Sequence, residues 1–209
     1  MGLYVSGDAG ATWQMATISD GPQIIQTPMP SGANQGGMAA TAVVWNPKRQ
    51  RFYAVVRYHG YYESTDGTAW IRLATQPGTA MTSKACPPAP GTSGSSACPV
   101  FRGTIAVQPD TGDMFALTTD RNNVDQGLWQ DVCGLSGNSC TSPAVTFGKR
   151  IASTALDVGS GNAAILQADY NMSLTAVSAG ADTLLFVGTS DLYRCSLAAG
   201  CVLRNTTNA

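Results

Sequence analysis

The 209-residue chain is poor in charge and in the side chains that most metal and acid–base centres need. Only 12% of its residues are charged and its formal net charge is −1. It therefore has neither the basic stripe that nucleic-acid binding requires nor an acidic tail. Histidine occurs once, as His59, far in sequence from any cysteine, and no two cysteines stand in a C-x-x-C spacing. A zinc-type site is on those grounds the weaker reading of the cysteines, and no metal or cofactor is expected. No phosphate-binding loop and no serine–histidine–acid arrangement can be picked out. No apolar run approaches the roughly eighteen residues of a membrane-spanning helix, so no membrane span is expected. A secretory leader is also missing: Met1 leads straight into Gly2-Leu3-Tyr4-Val5-Ser6, which has the pattern of a strand entering a turn. The expectation is a trimmed or partial form of an exported protein.

What the chain has in quantity is turn-forming and small residues, with 23 glycines, 11 prolines and many Thr, Ser and Ala. With 44% hydrophobic residues there is material for a core. This is a composition of short strands joined by many turns rather than of helices. The six cysteines fall into three sequence-local pairs, Cys86 with Cys98, Cys133 with Cys140 and Cys195 with Cys201. Each pair would close one loop or hairpin. Disulfides place the chain in an oxidising compartment, so it is expected to be secreted, extracellular or periplasmic.

An aromatic residue just ahead of a polar turn recurs at Tyr4, Tyr62, Trp129 and Tyr193, at spacings of 58, 67 and 64 residues. A regular period of this length marks a repeated supersecondary unit. Ahead of the later aromatics lie paired apolar runs: residues 40–45 and 51–56, 103–107 and 114–118, 173–177 and 183–187. Short apolar, β-branched runs bounded by Pro, Gly, Asn and Asp form strands in hairpins. Each unit is thus strand, turn, strand, loop, aromatic-led third strand, then a fourth. A four-stranded antiparallel sheet repeated at a fixed period predicts an all-β fold of propeller blades. Residues 1–20 form the end of one blade, and 37–75, 103–150 and 165–209 form three more. Three to four blades are present, so the propeller is expected to be incomplete, part of a ring of six to eight blades. Residues 76–102, rich in Pro, Gly and Ser, form an irregular loop bridged by Cys86 and Cys98.

The sequence Ser6-Gly7-Asp8-Ala9-Gly10-Ala11-Thr12-Trp13 has the form Ser-x-Asp-x-Gly-x-Thr-Trp. Ser64-Thr65-Asp66-Gly67-Thr68-Ala69-Trp70 is a second copy, one residue shorter. Ser and Asp side chains can bond nearby backbone N–H groups and hold a tight turn. Gly10 tolerates positive φ, and Trp13 is expected to fold back and bury a large apolar face. With these residues the chain resembles the Asp-box, or BNR-repeat, propellers, a group that includes sialidases, xyloglucan-degrading glycosidases and sortilin-type receptor domains. The resemblance implies that Ser6, Asp8, Gly10, Thr12, Trp13, Ser64, Asp66, Gly67 and Trp70 are structural and lie away from the ligand face. The third and fourth units lack the motif, and there a cysteine pair takes over the hairpin.

In propellers of this kind ligands meet the loops between second and third strands. The resemblance therefore points to Arg57, Tyr58 and His59 in the first such loop and to Asp120, Arg121, Asn123 and Asp125 in the second. Arginine can hold a carboxylate through paired bonds, tyrosine can stack on a sugar, and histidine can titrate near neutrality. A sialidase would need an arginine cluster and a Tyr–Glu pair, for which only Tyr62-Glu63 offers itself. A glycosidase would need two carboxylates, and Asp120, Asp125, Asp157 and Asp169 are available without a spacing that selects a pair. The leading expectation is a binding or scaffold module for a glycan or protein ligand, completed by further blades or a second copy of the chain. The alternative is part of a glycoside hydrolase.

Overall fold

The computed structural model describes residues 2–28, 39–78, 102–120, 122–158 and 164–207. Its regular structure is almost entirely β-strand. The first two sheets of the chain comprise β1 (Tyr4–Val5), β2 (Gln14–Met15), β3 (Thr17–Asp20), β4 (Gln23–Gln26), β5 (Ala40–Asn46), β6 (Arg51–Val56), β7 (Gly60–Ser64) and β8 (Ala69–Arg72). The later ones comprise β9 (Arg102–Val107), β10 (Met114–Thr119), β11 (Asp125–Asp131), β12 (Phe147–Ile151), β13 (Ser173–Ala179), β14 (Asp182–Gly188), β15 (Leu192–Ser196) and β16 (Arg204–Asn205). Single 3-10 turns at Val132–Ser136 and Thr154–Leu156 are the only helical elements among the described residues.

Three sheets repeat one plan. β5 to β8, β9 to β12 and β13 to β16 each run up and down, every strand antiparallel to the next. β1 and β2 form a separate hairpin. The chain leaving it becomes β3, which pairs in parallel with β8 and places Ile18 opposite Trp70. β3 and its neighbour β4 thereby widen the β5–β8 sheet to six strands.

Strand periodicity of two explains how these sheets stack. On β6, Tyr53 and Val55 face one way and pack with Ile105, Met114, Ala116 and Phe147 of the β9–β12 sheet. Ala54 and Val56 face the other way, onto Leu3, Ala16, Ile18 and Ile25. On β10, Phe115 and Leu117 face the β13–β16 sheet and meet Leu174, Ala176, Leu185 and Val187. The strands β6, β7, β9 and β10 are thus buried on both faces. That is why they read as continuous apolar runs rather than as an alternation of apolar and polar.

Polar ties at the strand ends fix the stacking. Arg49, in the β5–β6 turn, donates to the carbonyls of Ser142 and Ala144, both at 2.6 Å, and to Gly112 at 3.3 Å, and it pairs with the Asp131 carboxylate. Asn46 donates to the Gly112 carbonyl at 2.9 Å. One sheet further on, Gln108 donates to Ser178 at 2.7 Å. The buried arginine is satisfied at every step by acceptors of the next sheet, as a buried charge must be.

Two disulfides close the hairpins of the later sheets, Cys133–Cys140 and Cys195–Cys201. Both are compatible with an extracellular protein. The expected Cys86–Cys98 bridge and Arg121 lie outside the described residues. No helix among the described residues is long and apolar enough to cross a membrane.

Candidate functional site

An up-and-down sheet sorts its connections by end. First-to-second and third-to-fourth turns lie at one end, and second-to-third turns lie at the other. The two Ser-x-Asp turns, the Arg49 ties and the disulfide hairpins therefore share one end, and the β6–β7 and β10–β11 loops share the opposite one.

At the first end, the two turns are self-contained. Ser6 Oγ accepts from the Gly10 N–H at 2.7 Å, Asp8 accepts from the Thr12 N–H at 2.8 Å and hydroxyl at 2.6 Å, and the Trp13 indole donates to the Gly10 carbonyl at 3.1 Å. The second copy repeats this: Ser64 Oγ accepts from the Gly67 N–H, Asp66 from the Thr68 N–H and hydroxyl, and Trp70 donates to the Gly67 carbonyl. Gly10 at φ 93° and Gly67 at φ 79° take the left-handed backbone that each turn requires. The bonds from the threonine hold the Asp8 and Asp66 carboxyls down at about 2. All carboxylate oxygens are in use, so these residues organise backbone and offer no free chemistry.

Where the motif is missing, other aspartates take its place. Asp131 accepts from the N–H groups of Cys133 and Thr146 at 3.3 and 3.0 Å. Asp182 accepts from Thr183 and Ala198 N–H groups and from the Ser196 hydroxyl, which keeps its carboxyl below the usual range. A cavity of about 420 Å³ lies at this end between the last two sheets, lined in part by Asp113, Gln130, Gly134, Lys149 and Asp182. Its buried acid is already engaged: Asp113 accepts from Gln130 at 2.6 Å and from the Met114 N–H at 2.8 Å. Burial pushes the Asp113 carboxyl up to about 6, and the nearby Asp131 charge adds to the effect. The acids of this cavity are occupied in holding the fold.

At that opposite end, Arg57 and Tyr58 form the tip of the β6–β7 turn, where Tyr58 has φ 66° and lies under the Arg57 guanidinium at 5.3 Å. Arg102 opens β9, directly across from Thr119 at the end of β10. It donates to the Asp169 carbonyl at 2.7 Å. Burial and the neighbouring Arg57 charge both push the Arg102 guanidinium below its usual pKa. The two cations are thus close enough for the charge of one to act on the other. Arg102 Nε, Thr119 Oγ1 and Asn123 Oδ1 are among the buried polar atoms without a hydrogen-bond partner, and Arg102 and Thr119 are cross-strand neighbours. Thr119 itself is fully buried. Asn123, at φ 61°, sits in the loop between β10 and β11. Native proteins satisfy almost all buried polar atoms, so a local group of orphans calls for a partner.

The remaining candidates sort differently. His59 is 1% exposed, and its desolvation, with the Arg72 charge, lowers its pKa to about 4. It is a neutral interior residue near neutral pH, more deeply buried than the half-buried Arg57 and Tyr58 beside it. Asp120 accepts from the Asn122 and Val124 N–H groups at 2.8 and 2.9 Å, shaping the loop that presents Asn123. Asp125 accepts from the Gly127 N–H at 2.7 Å and from the Ser153 hydroxyl. The Asp125 charge also raises the Asp157 pKa, after the larger effect of burial. Of the four aspartates available in the sequence, the fold therefore makes neighbours of Asp125 and Asp157. Tyr62 and Glu63 are consecutive on β7 and face opposite ways: Tyr62 packs with Leu3 and Trp70, while Glu63 lies 3.9 Å from Arg51. Arg102 and Thr119 are absent from the sequence-based expectation. They sit in apolar strand runs, and only the cross-strand register reveals them. No group of three potential metal ligands occurs among the described residues.

No family model, no curated protein and no solved structure matches the chain.

Proposed function

We propose that this chain is part of a secreted Asp-box propeller, with the three repeated sheets as blades, and that it acts as a binding module. Its ligand is an acidic glycan or an acidic segment of a protein. The observation that carries the proposal is the Arg57–Arg102 pair with orphaned Thr119 and Asn123 beside it. Two guanidinium groups match a carboxylate in charge and in fork geometry. A hydroxyl donor and an amide oxygen beside them match a ligand hydroxyl next to that carboxylate. The Ser-x-Asp turns support the propeller part, as do the face-to-face sheets whose first strands, β5, β9 and β13, lie next to one another. Further blades, from the same protein or from a second copy, would complete the ring.

The test is binding to a panel of immobilised glycans and peptides that carry, or lack, carboxylates. Retention on the acidic members, lost in Arg57→Ala and Arg102→Ala while Arg194→Ala binds normally, supports the proposal. Equal retention of all variants refutes it. The Asp125–Asp157 neighbours support a second reading, a glycosidase with paired carboxylates. Turnover of any glycan, abolished by Asp157→Asn with binding intact, would favour it over a pure binding module.

A further inference from the structure

The chain's single histidine belongs to the turn that presents Arg57. Residues 57–59 join β6 to β7, and bonded main-chain amides hold them closed. The Arg57 N–H donates to the Ala39 carbonyl at 2.8 Å, the His59 N–H to the Val56 carbonyl at 3.0 Å and the Tyr61 N–H to Gln76 Oε1 at 2.7 Å. Gln76 Nε2 donates to the Tyr61 carbonyl at 3.0 Å, and Arg72 Nε donates to the His59 carbonyl at 3.2 Å. The fit is close: a Cβ added to Gly60, which has φ 120°, would lie 2.3 Å from Gln76 Oε1 and 3.4 Å from Arg72 Nη2. The tip is also strained, because Tyr58 takes φ 66°, a left-handed conformation that bulky residues rarely adopt. The turn is therefore clamped from β8 and the segment after it, against a tip that gains by relaxing.

His59 is what the clamp buries. It is 1% exposed, and its Nε2 has no hydrogen-bond partner among the described residues. The charge that acts on the ring is the Arg72 guanidinium. The acid facing that guanidinium, Asp20 on β3, lies 3.6 Å from Arg72 Nε, and Tyr62 on β7 is directly across from Arg72. On the turn itself stand Arg57 and Tyr58, with Arg102 of β9 within range of the Arg57 charge. The seat thus offers a proton on His59 no acceptor at Nε2 and a cation as neighbour. Burial first, and Arg72 second, hold the imidazole down at about 4, against the ordinary 6.5. In water the same ring takes up a proton in mild acid.

We propose that the β6–β7 turn is an acid-sensitive clasp: in mild acid a proton on His59 draws the ring out of its seat beside Arg72 and frees the tip that carries Arg57 and Tyr58. Because the buried ring is the harder one to protonate, its contribution to holding the turn is whole above pH 6.5 and is lost as pH falls through 4. The bearing on ligand release rests on the proposed role of Arg57; the motion itself does not.

With one histidine in the chain, its imidazole C–H signals are unambiguous in an NMR titration of the whole protein. The expected midpoint is near 4. Hydrogen exchange of the Arg57, His59 and Tyr61 amides, corrected for the intrinsic rate, reads the opening of the turn. Its opening constant should rise about 30-fold between pH 7.5 and pH 5, and His59→Gln should abolish that rise. Arg72→Gln removes the like charge and must move the His59 midpoint up, which checks the seat even where His59→Gln loosens the turn at both pH values. A midpoint near 6.5 in the parent, an opening constant equal at the two pH values, or no shift of the midpoint in Arg72→Gln overturns the proposal. So does an equal rise in His59→Gln, because another group would then carry the proton. None of these readouts needs a ligand, so their failure is distinct from failure of the binding test on Arg57 and Arg102.

Discussion

Replacing Arg49 with Met should destabilise the protein far more than any surface ion pair could. The Arg49 side chain is fully buried, the Asp131 side chain is 1% exposed, and the arginine also satisfies the carbonyls of Gly112, Ser142 and Ala144. Methionine fills much of the volume but leaves three acceptors and one buried carboxylate without their cation. Breaking a buried pair from one side costs about 3–5 kcal/mol. For a chain of this size that is a fall in Tm on the order of 10 °C. Asp131→Asn in the Arg49→Met background should recover part of the loss, because the amide oxygen can still accept from the Cys133 and Thr146 N–H groups. The double-mutant cycle, read by urea unfolding followed through tryptophan fluorescence, separates the ion pair from the carbonyl bonds. A loss below about 1 kcal/mol for Arg49→Met, typical of an exposed pair, would refute the claim that this turn ties two sheets together.

The tryptophans of the twin turns make a paired comparison: Trp70→Ala should cost about 3–5 kcal/mol, whereas Trp13→Ala, mostly exposed, should cost about 1 kcal/mol or less. Asp113 predicts a pH effect. Its folded-state pKa, about 6, lies above the ordinary 3.8, so its contribution is fully present below pH 4 and is lost as pH rises through 6. The cost above that range is about 3 kcal/mol. Asp113→Asn should therefore be more stable than the parent at pH 8 and not at pH 4 in urea melts. A variant equally destabilised at both values would contradict this. Peptide mapping without reduction should recover Cys133 linked to Cys140 and Cys195 to Cys201, and free thiols at those positions would remove the case for export.

Strand positions were legible because each run is bounded by its own punctuation. The Asn46-Pro47 and Pro109-Asp110 turns end β5 and β9 as expected, and β6, β10 and β14 follow at the anticipated residues. The Ser and Asp bonds to backbone N–H groups in the twin turns were legible because they act within a few residues, but Trp13, expected to bury a large apolar face, is 63% exposed while Trp70 is buried. The two later disulfides were legible for the same reason. What escaped was everything set by long-range register. Arg49 looks like an ordinary turn residue, yet its partner Asp131 is 82 positions away. His59 sits between polar-looking neighbours in sequence but is carried inside by the β6–β7 turn. Arg102 and Thr119 enter the site only because antiparallel pairing sets them opposite one another. The parallel joining of β3 to β8 also has no local signal.

The central claim is that the Arg57–Arg102 end is an anion-binding site. Bromide diffused into crystals of the protein, located by its anomalous scattering, tests it directly. The account predicts a peak between the two guanidinium groups, within reach of Thr119, that disappears in Arg102→Ala. Bromide found only at the solvent-facing Arg194 and Arg204, with nothing at Arg57 and Arg102, would contradict it.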